Sequence, residues 1–269
     1  MLTEPAPAKL NLALHVRARR PDGFHELETL FAFCEDGDRL HAEPADDLEL
    51  AVVGPFASGL SATDNLVLRA ARALHPERGA RLTLDKRLPV ASGLGGGSAD
   101  AAAALRLLNR LWNLGRSEAE LLGLAASLGA DVPACLLART CRGDGKGDAL
   151  TPARHAFGPA PVLLVNPRVA VPTGPVFAAW DGVDRGPLGD HLAGWRNDLT
   201  GPAIQLAPAV ADVLRALEAQ PGATFTRMSG SGATCFALFD SPAAREEADA
   251  RISADHPTWW RLATHLRAG

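Results

Sequence analysis

The sequence predicts a mixed α+β fold with two domains. The chain has 269 residues, of which 47% are hydrophobic, enough for one large core or two smaller ones. Segments with the two-residue period of strands alternate with apolar segments of helical period. A stretch rich in glycine, proline and charge, residues 142–161, predicts a crossing between domains. We therefore expect one domain at residues 1–150 and a second at residues 151–269.

The first domain opens with strand patterns. Between Leu10 and Val16, leucine and valine alternate with residues such as Asn11 and His15, which is typical of a half-buried strand. Pro21-Asp22-Gly23 predicts a turn, and FHELETLFAF then predicts the second strand of a hairpin. Further strand candidates are residues 48–53 and 81–84.

Three helical patterns follow in the same domain. Asp64 is a suitable N-cap for a helix with an apolar face, comprising Leu66, Val67, Ala70, Ala71 and Leu74. Residues 99–112 are rich in alanine and leucine and contain no helix breaker. Residues 118–128 form the third pattern, with Gly129 as the expected helix stop and residues 130–133 as a tight link.

The second domain continues the mixture of strands and helices. Its strand candidates are VLLVNP and residues 224–228 and 235–239, and its helix candidates are residues 209–217 and 243–254.

Composition excludes several classes of function. The net charge is −4, so no overall positive field exists to attract nucleic acid or an anionic membrane. No apolar run has the length of a membrane span, and MLTEPAPAKL lacks the features of a signal peptide. We expect a cytoplasmic protein with a small-molecule ligand. The four cysteines form no CxxC pair, so we expect reduced, mostly buried thiols and no zinc site.

The stretch PVASGLGGGSA, residues 89–99, is the strongest local signal and is called the glycine loop below. The Walker pattern fails because no lysine follows GLGGGS, and the dinucleotide fingerprint fails because Ser98 stands where it requires glycine. Backbone N–H groups without side chains, opening a helix, can still hold an anion. The loop therefore predicts a phosphate site, with a tight turn or flexible linker as the alternative.

Four segments in order resemble the GHMP kinases, the superfamily of galactose, homoserine, mevalonate and phosphomevalonate kinases. They are PAPAKLNLALHV, PVASGLGGGSADAAAAL, LGADVPACL and SGSGATCFALF. Within that superfamily, RRPDGFHELETLF, DNLVLRA and DKRLPVASGLGGGSADAA resemble the 4-diphosphocytidyl-2-C-methyl-D-erythritol kinases of the non-mevalonate isoprenoid pathway. The resemblance implies an N-terminal domain like the second domain of ribosomal protein S5, a C-terminal α/β sandwich, and an active site in the interdomain cleft.

The implied reaction transfers the γ-phosphate of ATP to the 2-hydroxyl of the methylerythritol part of the substrate. The resemblance makes Asp131 the catalytic base and Lys9 the residue that orients the hydroxyl and favours ionised Asp131. Alternatively, Asp131 caps a helix before Pro133, and Lys9 is a solvated lysine before a strand.

The resemblance also implies the ATP site. Its residues are Pro89, Val90, Ala91, Ser92, Gly93, Leu94, Gly95, Gly96, Gly97, Ser98, Ala99, Asn65, Leu66 and Lys86. Alternatively, Asn65 starts a helix and Lys86 is a surface charge. Mg²⁺ is expected with ATP; its ligands stay unknown, with Ser98 as a plausible contributor.

The implied substrate site comprises Asn11, Phe24, His25, Thr173 and Phe177. Phe24 departs from the family, which often has tyrosine there, whereas this chain contains no tyrosine. Phenylalanine keeps the stacking face and loses the hydroxyl. Alternatively, Phe24 and Phe177 are core aromatics. SGSGAT, residues 229–234, matches a motif beside the glycine loop or forms a simple hairpin turn.

Two rival functions remain open from sequence. One is another GHMP kinase, against which PDGFHELETL argues. The other is a ligand-binding or RNA-associated protein without turnover, against which the acidic balance and the presence of Lys9 and Asp131 argue. We expect no nucleic-acid or membrane partner, and a monomer or weak homodimer.

Overall fold

The computed structural model describes residues 1–58, 60–61, 63–154 and 157–268. The chain divides into two compact units, each assembled from separate segments. Unit 1 comprises Met1–Lys9, Asp36–Val90 and Gly95–Ala138, and unit 2 comprises Leu10–Glu35, Ala91–Leu94 and Arg139–Gly269. The chain therefore enters each unit more than once. The domain bounds expected from sequence, 1–150 and 151–269, stay a prediction.

Two long strands, β1 (Leu2–Arg19) and β2 (His25–Glu43), pair with each other and contribute residues to both units. The predicted turn lies between them, with Gly23 at φ +83°. Residues 6–16 of β1 are all buried, including Asn11 and His15. The prediction of a half-buried strand is therefore wrong, because other parts of the chain cover both faces of β1.

Unit 1 contains β3 (Leu48–Val53) and β4 (Ala80–Asp85), which are parallel to each other. β4 also pairs antiparallel with residues 39–43 of β2. Its helices are α1 (Leu66–Leu74), α2 (Gly96–Leu111), α3 (Glu118–Leu128) and α4 (Val132–Leu137), and α2 packs against both α1 and α4.

Three details in unit 1 differ from the sequence predictions. The cap of α1 is Asn65, whose side chain accepts a hydrogen bond from the Val67 amide, and not Asp64. Helix α2 begins at Gly96 inside the glycine run, before the predicted start at residue 99. The expected link after Gly129 leads directly into the short helix α4, which buries its apolar side chains.

Unit 2 contains a hairpin and a four-stranded antiparallel sheet. The hairpin strands β5 (Cys141–Gly145) and β6 (Ala149–Pro152) occupy much of the segment expected to cross between domains, of which residues 155 and 156 lie outside the described residues. The sheet has the order β10-β7-β9-β8. Its strands are β7 (Pro161–Asn166), β8 (Ala223–Met228), β9 (Cys235–Phe239) and β10 (Trp260–His265).

Four helices complete unit 2. They are α5 (Thr173–Ala178), α6 (Thr200–Leu206), α7 (Ala209–Glu218) and α8 (Pro242–Asp255). Helices α7 and α8 pack on the sheet and confirm the sequence predictions to within a residue at each end. The sequence predicted neither α5 nor α6, because each is at most seven residues long and contains glycine and proline.

All four cysteines are buried and free, as the sequence predicted. In the described part of the chain, no helix combines the length and apolarity needed to cross a membrane.

Candidate active site

An ion pair in unit 1 joins the two predicted catalytic residues. The Lys9 ammonium on β1 lies 3.1 Å from the Asp131 carboxylate. The Lys9 side chain is 4% exposed and that of Asp131 is 38% exposed. Asp131 occupies the N-cap position of α4, yet its side chain makes no capping hydrogen bond. Its carboxylate therefore faces Lys9, partly open to solvent, where it can accept a proton.

Gly95 leaves room for the Lys9 side chain. A Cβ at Gly95 would lie 3.0 Å from Lys9 Cε and 3.3 Å from Lys9 Cβ. The residue also has φ +63°, a conformation that favours glycine. Gly95 is thus required by the backbone and by Lys9 together.

Gly96 leaves room for a second lysine. A Cβ there would lie 2.9 Å from the Lys86 ammonium. Gly97 is different, because an added Cβ would make only an ordinary contact, 3.5 Å from Leu66 Cδ1. Lysine side chains of the protein therefore fill the space beside Gly95 and Gly96, whereas the space beside Gly97 is open to a ligand.

Lys86 belongs to a buried ion cluster with Asp38 and Asp100. Its ammonium is 2.5 Å from Asp38 and 2.7 Å from Asp100, and all three residues are at most 3% exposed. The second oxygen of Asp38 accepts hydrogen bonds from two backbone amides, those of Arg87 and Leu88. The cluster therefore ties the residues before the glycine loop to α2, the helix that follows it.

Burial and charge set the titration of this cluster. Burial raises the pKa of Asp100 to about 7, although Lys86 acts in the opposite direction. Burial lowers the pKa of Lys86, but the charges of Asp100 and Asp38 outweigh it and raise that pKa overall. Lys86 is not the surface charge that the sequence left open, and its contact with ATP stays a prediction.

The start of α2 presents free helix-end amides. Gly95 is the N-cap and has no side chain that could accept a hydrogen bond from the backbone amides of Gly96, Gly97 or Ser98. The Ala99 amide already donates to the Gly95 carbonyl, 2.8 Å away. An uncapped helix N-terminus of this length attracts an anion through its amides and its dipole.

The remaining predicted ATP residues have varied environments. Val90, Ala91 and Gly97 are exposed, whereas Pro89 and Ala99 are buried. Leu94 is fully buried, so only its backbone can meet a ligand, and Ser92 is buried with an unpartnered hydroxyl. Leu66 is the first residue of α1, beside Gly97, while Asn65 acts as the cap of that helix.

In unit 2, the 229–234 loop contacts the middle of the glycine loop. The Ser229 hydroxyl donates to the Gly93 carbonyl at 2.8 Å, and the Thr234 amide donates to the Ser92 carbonyl at 3.1 Å. The Asn11 amide donates to the Ser229 hydroxyl at 3.3 Å. The 229–234 loop connects β8 to β9, so SGSGAT forms a hairpin turn and also lies beside the glycine loop.

Aromatic side chains surround His25 in unit 2. Its ring centroid lies 5.0 Å from that of Phe177 and 5.8 Å from that of Trp180, which meets it edge to face. Phe177 packs against the core of unit 2, whereas Phe24 is 55% exposed, with the Lys146 ammonium 5.1 Å from its ring centroid. Phe24 is therefore not a core aromatic.

The other two predicted substrate residues, Thr173 and Asn11, make side-chain hydrogen bonds within the protein. Thr173, at the start of α5, makes a 3.0 Å hydrogen bond with the Ser231 hydroxyl in the 229–234 loop. The Asn11 side chain is buried and donates to Thr29 at 2.7 Å.

The surroundings of His25 favour its neutral form over its charged form. Burial lowers its pKa, and the positive charge of Arg19 lowers it further. Its Nε2 atom is buried without a hydrogen-bond partner, as is the indole nitrogen of Trp180. A neutral imidazole with a free nitrogen can pair with a polar heterocycle.

Sequence reasoning missed Trp180 and Lys146. Trp180 follows Phe177 by three residues, a helical spacing that was visible in VFAAW. Lys146 lies in the turn between β5 and β6, and no sequence motif marked it as part of the site. The sequence alone does not show that Trp180 lies beside His25 or that Lys146 lies over the ring of Phe24.

Comparison with known proteins identifies the family. The pattern of the GHMP kinases N terminal domain matches residues 65–139, and that of the GHMP kinases C terminal domain matches residues 184–257. A 4-diphosphocytidyl-2-C-methyl-D-erythritol kinase from Rhizorhabdus wittichii is 56% identical over 98% of this chain and 94% of its own. The chain belongs to the 4-diphosphocytidyl-2-C-methyl-D-erythritol kinase family.

Solved structures agree with this assignment. A 4-(cytidine 5'-diphospho)-2C-methyl-D-erythritol kinase matches with a TM-score of 0.84 and 37% identity over the full length of both chains. A homoserine kinase from Cytophaga hutchinsonii matches with a TM-score of 0.66 and 19% identity, over 97% of this chain and 96% of its own. The second match shows the shared two-domain GHMP kinase fold alone.

The 4-diphosphocytidyl-2-C-methyl-D-erythritol kinase family uses ATP, and Mg²⁺ can be tested against the residues present. Within the described residues, no three histidine, cysteine or acidic side chains are grouped as a metal site. Mg²⁺ that travels with ATP needs few protein ligands, because phosphates and water fill most of its coordination sphere. Ser98, in the first turn of α2, fits that limited requirement.

Proposed function

We propose that this protein transfers the γ-phosphate of ATP to the 2-hydroxyl of the methylerythritol group in 4-diphosphocytidyl-2-C-methyl-D-erythritol. The products are ADP, the phosphate ester and a proton. The observation that carries the proposal is the 3.1 Å contact between Lys9 and Asp131, with Lys9 packed against Gly95 at the start of α2. A potential base and an anion-binding helix end thus meet in unit 1.

Asp131 acts as the base in this proposal. Its carboxylate accepts the proton of the substrate hydroxyl as the oxygen attacks the γ-phosphorus. The adjacent Lys9 ammonium pairs with the carboxylate and orients the same hydroxyl. The partial exposure of Asp131 leaves it open to a substrate.

The glycine loop holds the phosphates. Phosphoryl transfer depends on positioning and on stabilising the charge of the transferred group more than on covalent chemistry. The amides at the start of α2 point their positive ends toward a bound anion. Gly97 is exposed and its added Cβ would meet little protein, which supports close approach of a ligand there.

We infer that Mg²⁺ enters with ATP and that the Ser98 hydroxyl would help to hold it. When bound, the metal supplies positive charge that neutralises the phosphates. The protein's own contribution is to hold the loop, and the ion cluster of Lys86, Asp38 and Asp100 supports it beside Gly96. Asn65 and Leu66 remain the proposed neighbours of the adenine.

The cytidine end binds in unit 2. His25 offers a neutral imidazole with an unpartnered nitrogen, and Phe177 and Phe24 offer aromatic faces. Thr173 and Asn11 supply polar groups beside the 229–234 loop. Loss of the tyrosine hydroxyl at Phe24 leaves stacking as its contribution, with Lys146 over the ring.

The remaining expectations complete the proposal. Residues 1–150 would form the ATP-binding domain, and residues 151–269 would contribute to substrate binding. The protein would act in the cytoplasm as a monomer or weak homodimer, without a nucleic-acid or membrane partner.

The test is ADP release by the purified protein with Mg-ATP. The acceptors are 4-diphosphocytidyl-2-C-methyl-D-erythritol, mevalonate, homoserine and none. We expect release only with the cytidine compound. Release with another acceptor would reject the assignments of Phe24 and His25, and no release with any acceptor would reject the kinase reaction itself.

A further inference from the structure

A single arginine in unit 1, Arg106 on α2, contacts both elements that carry the catalytic pair. Its guanidinium makes four short contacts, to a carboxylate and to three backbone carbonyls. These partners are Glu4 Oε1 at 2.6 Å, the Pro5 carbonyl at 3.1 Å, the Cys135 carbonyl at 2.9 Å and the Leu136 carbonyl at 3.0 Å.

The four partners divide between two elements. Glu4 and Pro5 lie on β1, upstream of Lys9 on the same strand. Cys135 and Leu136 lie on α4, whose N-cap is Asp131. Arg106 therefore connects the strand that holds the ammonium to the helix that holds the carboxylate.

Helix α4 depends on such an anchor because it is only six residues long. The last carbonyls of a helix lack partners within it, and a cation favours that end. Arg106 supplies both the donors and the charge. Within α4, the Cys135 amide donates to the Asp131 carbonyl at 3.1 Å, so the anchored end and Asp131 are one turn apart.

We propose that Arg106 is a positioning residue that sets the distance between Lys9 and Asp131. The proposal rests on the proposed function, in which these two residues meet the substrate hydroxyl. Arg106 itself touches neither of them in the contacts described above. It acts by fixing the backbones of β1 and α4, for which the planar fork of arginine is suited and the single ammonium of lysine is not.

Arg110 offers a matched control. It lies one turn further along α2 and also pairs with Glu4, at 2.7 Å. Its side chain is 50% exposed, against 20% for Arg106. A variant at Arg110 therefore removes an ion pair with the same carboxylate, while the carbonyls of α4 keep Arg106.

The experiment compares Arg106→Gln, Arg106→Lys and Arg110→Gln by kcat, by KM for ATP and by binding of a non-hydrolysable ATP analogue. We expect kcat to fall about 10- to 100-fold in both Arg106 variants, as misplaced reacting groups cause. We expect KM for ATP and analogue binding to stay near the wild-type values, and Arg110→Gln to keep the wild-type kcat.

Several outcomes would overturn the proposal. Wild-type kcat in Arg106→Gln would do so, as would full rescue by Arg106→Lys, which would reduce the role of Arg106 to its ion pair with Glu4. If Arg106→Gln does not fold, Arg106→Lys decides. A crystal structure of Arg106→Lys adds a readout independent of substrate: an unchanged distance between Lys9 and Asp131 rejects the positioning role.

Failure of the proposed function would look different. In that case the wild-type protein would release no ADP with the cytidine compound, whereas the crystal structure of the variant would still report on Arg106.

Discussion

The Lys9 ammonium lies 3.1 Å from the Asp131 carboxylate, and its carbon chain packs against Gly95 at the start of α2. The two residues come from elements far apart in the chain, β1 and the N-cap of α4. Their contact places an acidic group beside the helix end that is proposed to hold phosphate. Each end of this arrangement can be tested separately.

Replacing the proposed base should abolish turnover without abolishing nucleotide binding. We expect Asp131→Asn to reduce kcat about 10²- to 10⁴-fold, the usual contribution of a general base. Binding of an ATP analogue should stay close to wild type. Asp212→Asn, at an exposed aspartate paired with Arg215 on α7, is the control. Turnover of Asp131→Asn equal to that of the control would reject the role of Asp131.

Adding one methyl group to the glycine loop should weaken ATP binding. Gly97→Ala suits this test because its Cβ meets only Leu66 at an ordinary distance. Gly95→Val is less informative, because it would also displace Lys9 and strain a backbone at φ +63°. We expect calorimetry to show at least about a tenfold loss of ATP affinity in Gly97→Ala, if the methyl displaces even one phosphate hydrogen bond of about 1.5 kcal/mol.

Gly123→Ala on α3 is the matched control for this change. Gly123 is exposed, and an added Cβ would meet no other atom within 4 Å. The control should gain about 0.5–1 kcal/mol in stability, as alanine replaces glycine inside a helix, and keep its ATP affinity. Equal ATP affinity in both variants would argue against phosphates at Gly97.

The buried ion cluster predicts a pH dependence of stability. The pKa of Asp100 is raised to about 7 in the folded protein, mainly by burial, and returns to the ordinary range of a carboxyl on unfolding. The folded state therefore favours protonated Asp100. Its contribution to the free energy of unfolding is complete below about pH 4 and is lost as the pH rises toward about 7.

Chemical denaturation of the wild type and Asp100→Asn across this range measures the effect. The free energy of unfolding of the wild type should decline relative to the variant as the pH rises from about 4 to 7. Asp240→Asn, at an exposed aspartate outside the cluster, should follow the wild type. A constant difference between wild type and Asp100→Asn would mean that Asp100 does not titrate in this window.

Arg19 should control the protonation of His25. Burial lowers the pKa of His25 and Arg19 lowers it further, so Arg19→Met should raise that pKa toward its ordinary value of about 6.5. The proposed cytidine site needs the neutral imidazole. As the pH falls, His25 becomes protonated and KM for the cytidine substrate should rise. This rise should begin at a higher pH in Arg19→Met than in the wild type.

NMR titration of His25 measures this shift directly. Arg20→Met is the control, because Arg20 pairs with Asp22 and Glu26 and does not act on the His25 pKa. The prediction fails if the titration curves of Arg19→Met and Arg20→Met coincide.

Much of the fold could be predicted where local sequence decides local structure. The periodic segments for β3, α3, α7 and α8 gave elements within a residue or so of those observed. The motifs around Lys9, the glycine loop and Asp131 pointed to phosphoryl transfer through their resemblance to GHMP kinases. Their order along the chain, and not any single residue, made that resemblance specific.

The short elements of unit 2 could not be predicted in the same way. Helices α5 and α6 are too short for a periodic signal. Strand β10 pairs with β7, which lies far earlier in the sequence. The burial of β1 on both faces likewise depends on partners that are distant in sequence.

By itself, the sequence determined the family, the reaction class and the positions of the principal motifs, because these are written in contiguous residues. Tertiary structure decided what each side chain does. It buried Lys86 between two carboxylates and packed lysine side chains against Gly95 and Gly96. It also brought Arg106 into contact with both β1 and α4. Such roles arise from contacts between distant segments, whose burial and distances no local pattern of residues records.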